Sequence, residues 1–223
     1  MTARLASAPD PTHRLIPSRF PPVGPFDTVA TVGDLASVME LAGWTNDRLV
    51  AERINRLPEN EWVYGRPSAS IVMAAFLHVA PGGMRFNNGD LGAWYAAATL
   101  TTVVAEIAHH LRREAAARGV PGARRQYRQY TSALEGSYLD IRGQQAARPD
   151  IYDPGSYAAS QRLGEAVRAS GGAGLVYDSL RHAGGIAVVA HRPRNIITIV
   201  QAGHFEISVQ AAASRIEVRT LAV

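Results

Sequence analysis

Apolar and polar positions recur with two different periods along the chain, and the changes of period divide it into helices and strands. In 103–111, Val103, Val104, Ile107, Ala108 and Leu111 fall on one stripe when successive residues turn by about 100°. That stripe predicts an amphipathic helix from about 101 to 118, stopped by Gly119 and Pro121. Two earlier helices are expected. GDLASVMELAG has Asp34 as N-cap and Gly43 as stop, and TNDRLVAERINRL starts at Thr45 or Asn46 and ends before Pro58. The run ASIVMAAFLHVA, 69–80, is apolar and partly β-branched, and predicts a buried strand closed by Pro81, Gly82 and Gly83. RFNNGDLGAWYAA reads as a hairpin turning at Asn88-Gly89. Strands follow at 124–133 and 137–142, a helix at 156–169, and strands at GLVYD, GIAVVAH, NIITIVQA, HFEISVQ and RIEVRTL. The fold class is α+β, a mixed β core with flanking helices and no regular βαβ alternation. No glycine-rich GxGxxG follows a strand, which disfavours a dinucleotide-binding doubly wound sheet.

Composition adjusts this picture in three places. Residues 1–26 hold six of the thirteen prolines, so this stretch is expected as an extended arm laid over the domain through Ile16, Phe20, Val23 and Phe26. The arm and the two helices form an expected extension over 1–60, with the main domain at 61–223. All 23 basic side chains are arginine, which excludes a Walker-type phosphate loop and Schiff-base chemistry. Cysteine is absent, which excludes disulfides, thiolate nucleophiles and cysteine-ligated zinc. No apolar run reaches membrane-spanning length and the N-terminus lacks a secretory apolar core, so a cytoplasmic protein without membrane contact is expected. The formal charge is a modest +4. The densest basic cluster, RRQYR at 124–128, has no helix-turn-helix or zinc-finger pattern beside it, so direct nucleic-acid binding is not expected.

The candidate chemistry lies in the middle of the chain. Glu106 and His110, four residues apart, share a helix face at the margin of the apolar stripe. Such a pair is either a solvated surface pair or an acid and an imidazole in a cleft wall. Arg85 stands between Gly82, Gly83 and the asparagine turn, where small residues let a ligand approach and a guanidinium could hold a diphosphate in bidentate fashion. Tyr95 alternates with Trp94, so one faces inward. Ser179, at a strand end, could bond a ligand or cap the following turn; His78, ending the apolar run, is either structural or a substrate contact.

In this order these residues resemble the RES-domain family, toxins of RES–Xre toxin–antitoxin modules. The similarity runs from RLIPSRFPPVGPFDTVA to GIAVVAHRP. GGMRFNNGDLGAWYAA resembles the family's arginine element and Tyr-Ala strand, TTVVAEIAHH its helix, and LDIRG with YAASQRLGEAVRASGGAGLVYDSLRHAGG its third element, in which the usual asparagine after the glycines is missing. The resemblance implies an ADP-ribosyltransferase-like fold and NAD+ as substrate, with no metal. It implies cleavage of the nicotinamide–ribose bond with phosphate or water as acceptor, or else transfer of ADP-ribose to a protein. A catalytically silent nucleotide-binding or interaction module is the third alternative. On this reading Glu106, Arg85 and His110 are catalytic, and Arg85, Tyr95, Ser179 and His78 bind substrate. The implied partner is a cognate Xre-like helix-turn-helix antitoxin, within a toxin–antitoxin hetero-oligomer or a homo-oligomer. Protein-directed transferases often carry Glu or Gln two residues before the key glutamate; here that residue is Val104, which leans toward small-molecule chemistry.

Overall fold

The structure, a computed structural model, describes residues 4–19, 24–31, 33–35, 37–38 and 53–222. The strands are β1 (Leu5–Ala6), β2 (Thr12–Pro17), β3 (Trp94–Ala97), β4 (Gly122–Leu134), β5 (Tyr138–Asp140), β6 (Gly174–Asp178), β7 (Ile186–Ala190), β8 (Ile196–Gln210) and β9 (Ile216–Thr220). The α-helices described in full are α1 (Ala69–Leu77), α2 (Leu100–Ala117) and α3 (Ala158–Ala169). The strands form one sheet in the order β1-β5-β6-β7-β3-β2-β4-β8-β9. β5 and β6 pair in parallel, and the other neighbours are antiparallel. The expected α+β class with a mixed β core is borne out.

Alternation along the strands divides the core. On β7, Val188 and Ala190 pack with α1, whereas Ala187 and Val189 pack on the side of α3. On β3, Trp94 and Ala96 face α1, and Ala97 packs with Val103, Val104, Ala108 and Leu111 of α2. The apolar stripe read for α2 is therefore the face it buries. Thr99 caps this helix by accepting the backbone N–H of Thr102 at 3.2 Å. Thus α1 covers one face of the sheet, while α2 and α3 cover different parts of the other.

Four expectations are corrected. Residues 69–77 are helix, not strand: six of nine are buried, so no polar face marks the period, and a buried helix and a buried strand read alike. Residues 85–97 are not a hairpin. Met84 and Asn87 make an isolated bridge, and β3 pairs with β7 and β2, partners distant in sequence. The two strands expected at NIITIVQA and HFEISVQ are one, β8, which passes a bulge near Gly203, where the pairing shifts between Arg128↔His204 and Tyr130↔Gln201. The N-terminal segment is not laid over the domain at 12–17. β2 lies inside the sheet, paired with β4 from Thr12↔Ser132 to Pro17↔Tyr127, because Pro11 and Pro17 bracket a proline-free stretch that can join a ladder. The two helices expected within 33–57 lie for the most part outside the described residues.

His191, just beyond β7, is buried, and its Nε2 donates to the carbonyl of Phe86 at 3.1 Å in the neutral ring. Burial, reinforced by Arg168, lowers its pKa to about 3. An unfolded histidine takes up a proton at about pH 6.5, so between there and pH 3 the unfolded chain binds more protons than the fold. Stability is therefore lost as pH falls through that window. Urea unfolding of His191→Gln between pH 7 and 4 is expected to show a shallower loss of stability than the wild type. Parallel curves would assign the acid sensitivity to other groups, such as His109, whose pKa is lowered to about 4 chiefly by burial.

Candidate functional site

The sheet opens between β2 and β3. After the single pair His13↔Ala97 the two strands part, whereas β2 stays paired with β4 throughout. Over this opening lies a cleft of about 330 Å³, lined by residues from β2, the loop before β3, β3 itself, α2 and the loops before α3 and after β6. Arg85, Tyr95, Glu106, His110 and His78 all line it. Ser179 is buried beside them and touches Glu106.

Glu106 projects from the middle of α2, and the Ser179 hydroxyl donates to its Oε1 at 2.5 Å. A hydroxyl–carboxylate bond of this length is charge-assisted and strong. The same oxygen, Ser179 Oγ, accepts the backbone N–H groups of Arg181 and His182, each at 3.1 Å. Ser179 thus caps the turn that follows and also aims the carboxylate. The turn is fastened to α2 a second time, where Thr102 Oγ1 and His182 Nδ1 lie 2.9 Å apart.

Arg85 is held before any ligand arrives. Its Nη1 donates to the carbonyls of Ile151, at 3.3 Å, and Asp153, at 3.0 Å, and its guanidinium lies 4.7 Å from the ring centre of Tyr157. The Tyr95 hydroxyl accepts from Phe86 N–H at 2.9 Å and donates to Asn87 Oδ1 at 2.8 Å. Both capacities are taken, so what Tyr95 offers the cleft is its ring. Burial raises its pKa well above the ordinary phenol value, so it stays neutral. His110 sits at the mouth with one edge in solvent. Desolvation against the cleft wall lowers its pKa; Glu106 pulls the other way, and Arg113, Arg181 and Arg85 add to the lowering. His78 follows the end of α1 at the outer margin, its pKa lowered by burial and by Arg53.

The loop from Gly82 to Gly92 is set by one face of α3. Gln161 Nε2 donates to the carbonyls of Gly82 and Met84 at 2.8 and 3.0 Å. Glu165 accepts Asn88 N–H at 2.9 Å, and Arg168 donates to the carbonyl of Gly92 at 2.8 Å. Between them Gly164 leaves no room: a Cβ there would stand 2.0 Å from the Phe86 carbonyl oxygen. The spacing of 161, 164, 165 and 168 is that of one helix face, so α3 grips the loop backbone along its length.

Sequence reading did not assign Arg14, Tyr157, Tyr177 or Arg181, which also line the cleft. Tyr157 has a signal in hindsight, an aromatic at a helix start. Arg14 has only its place between two prolines. Among the described residues no cluster of His, Cys, Asp or Glu could hold a metal ion, and no helix is long and apolar enough to cross a membrane.

A family model described as the RES domain matches residues 53–209. The chain belongs to the RES-domain family. Among solved structures, it resembles a chain in the crystal structure of the M. tuberculosis MbcT–MbcA toxin–antitoxin complex, at 17% identity and a TM-score of 0.40, over 55% of this chain and 73% of that one. No curated protein matches.

Replacing Gly164 by Ala is expected to destabilise the fold by about 2 kcal/mol or more, since backbone must move to admit the methyl group. A melting temperature equal to the wild type's would show that α3 and the loop can separate freely. Ser179→Ala removes a buried acceptor from two N–H groups together with the carboxylate bond, and is expected to cost about 1–3 kcal/mol in urea unfolding.

Proposed function

We propose that this cleft binds NAD+ and cleaves its nicotinamide–ribose bond, with phosphate or water as acceptor, and that the protein is the toxin of a toxin–antitoxin pair. The observation that carries the reading is the Glu106 carboxylate, held by Ser179 in the wall of a cleft that Arg85 and Tyr95 also line. Family membership supports the substrate class, since RES-family toxins generally act on NAD+.

The chemistry follows from the groups present. Loss of nicotinamide leaves positive charge on the ribose in an oxocarbenium-like state, as in glycoside transfer. A fixed carboxylate beside it stabilises that charge without reorganising, and Glu106 takes this role. Nicotinamide leaves neutral, so no general acid is needed for its departure. Arg85, immobilised by two carbonyls and the Tyr157 ring, holds the negative diphosphate. The Tyr95 ring boxes in the nicotinamide. His110, neutral near pH 7, orients Glu106 or contacts a ribose hydroxyl, and His78 borders the entrance.

The second reading, transfer of ADP-ribose to a protein, uses the same residues and differs only in the acceptor. Val104, two residues before Glu106, favours the small-molecule acceptor. An Xre-like helix-turn-helix antitoxin is the expected partner, and the cytoplasm, where NAD+ is available, the expected compartment.

Proton NMR of the purified protein with NAD+, with and without phosphate, tests the reading. Nicotinamide release is expected, with ADP-ribose or its 1″-phosphate naming the acceptor. Glu106→Gln, nearly isosteric, is expected to lower kcat by about 100-fold or more with the fold intact. Normal turnover by that variant would sink the assignment. Arg85→Ala is expected to raise KM by about tenfold or more with a smaller effect on kcat.

A further inference from the structure

The sheet has two edges, and they are built differently. At one, β1 pairs over only two residues, Leu5↔Leu139 and Ala6↔Tyr138, too short a stretch to template another strand. At the other, β9 pairs with β8 over five residues without a bulge, from Phe205↔Thr220 to Val209↔Ile216. β9 contains no proline, and among the described residues no strand lies on its outer side. It lies beyond the residues matched by the family model, and none of its residues lines the cleft. The turn that leads into it is pinned to α2. Arg112 Nε donates to the carbonyl of Ala213 at 2.9 Å, and Nη2 to that of Arg215 at 3.0 Å.

The phase of this edge follows from one bond. Leu221 N–H donates to the His204 carbonyl at 2.8 Å, just past the end of the β8–β9 ladder. By antiparallel alternation the backbone polar groups of Arg219 and Glu217 also face β8, and those of Ile216, Val218 and Thr220 face outward. Side chains alternate between the two faces of the sheet. Val218, opposite Ile207, stands on the α2 side and is 46% exposed; Glu217 and Arg219 stand on the other side.

We propose that β9 is a dimerisation strand, which pairs antiparallel with β9 of a second copy of this chain about a twofold axis through Val218. In that register Val218 opposes Val218 of the second copy, and Ile216 opposes Thr220. Every outward-facing N–H and C=O of one strand then meets outward-facing groups of the other, which is the condition for a ladder. Glu217 opposes Arg219 of the second copy, and symmetry makes that pair twice. The two neighbouring registers of correct phase would oppose Glu217 to Glu217 or Arg219 to Arg219, so charge selects this one. A row of alternating charge already crosses the sheet: Glu206 Oε1 lies 3.0 Å from Arg219 Nη2 and 3.8 Å from Arg124 Nη1. The second copy's Glu217 continues that row. The present partner of Glu217 is Arg215 at 3.3 Å, an exposed pair of little worth to either. Pairing also covers the exposed Val218 side chain. A five-residue ladder buries less than a standard interface, so the dimer is expected to dissociate on dilution.

Sedimentation velocity of the full chain, from low micromolar to submillimolar concentration, tests this without reference to the nucleotide reading of the cleft. The wild type is expected to pass from monomer to dimer. Val218→Pro removes only an outward N–H, spares the β8 ladder, and is expected to stay monomeric. Glu217→Arg and Arg219→Glu are each expected to weaken self-association by about tenfold or more, because like charges then oppose each other at both facing pairs. Mixed in equal amounts, these two variants should associate about as well as the wild type, since every facing pair is again opposite in charge. A wild type that stays monomeric throughout would overturn the proposal and leave the edge to a strand of another protein. Dimerisation undiminished by Val218→Pro would overturn it too, by placing the interface elsewhere. So would a mixture of the two charge variants that associates no better than either alone.

Discussion

One short hydrogen bond, from the Ser179 hydroxyl to Glu106, joins two parts of the chain that are 73 residues apart in sequence. It fixes the carboxylate on α2 relative to the loop after β6, and so fixes one wall of the cleft relative to its rim. Because the same serine oxygen accepts two backbone N–H groups, the hydroxyl cannot swing away from Glu106 without uncapping the turn. The contact between Thr102 and His182 holds the turn to α2 at a second point. The acid is thereby tied to backbone rather than to another mobile side chain, which is what preorganised electrostatics requires.

The opposite wall depends on a different device. The loop that carries Arg85 has little secondary structure of its own, a single bridge between Met84 and Asn87. Its shape is imposed from outside by Gln161, Gly164, Glu165 and Arg168 of α3, by His191 beneath it, and by the Tyr95 hydroxyl from β3. Most of these bonds end on backbone atoms of the loop. The loop could therefore vary in side chains with its path unaltered, while the gripping residues could not. Tyr95 is poised because its hydroxyl is already committed, which leaves its ring toward the cleft, and Arg85 is poised because its Nη1 is anchored on two carbonyls and its guanidinium lies against the Tyr157 ring.

Much of this was legible beforehand, but unevenly. The helix α2, with Glu106 and His110 on the edge of its buried stripe, could be read because one face packs and the other meets water. Most strands could be read from β-branched runs between glycines and prolines. The helix α1 could not, since residues buried on every side erase the period that would distinguish it. The Asn88-Gly89 pair does mark a turn, but turn chemistry does not say which strand comes next to pair. Arg14 was missed for a related reason: the prolines around it suggested a surface arm, and only the partner strands β3 and β4 make it interior.

By itself the sequence determined the class of the fold, the amphipathic helix and the family, because these rest on local period and on motifs spaced within a few residues. It also excluded lysine and cysteine chemistry outright. The tertiary structure decided the strand order, the parting of β2 from β3, and the meeting of Ser179 with Glu106 and of Arg14 with the cleft. Those are contacts between residues tens to more than a hundred positions apart, and no local preference encodes them. They follow from burying a two-faced sheet against helices on both faces, and the cleft lies where that burial leaves polar groups facing one another.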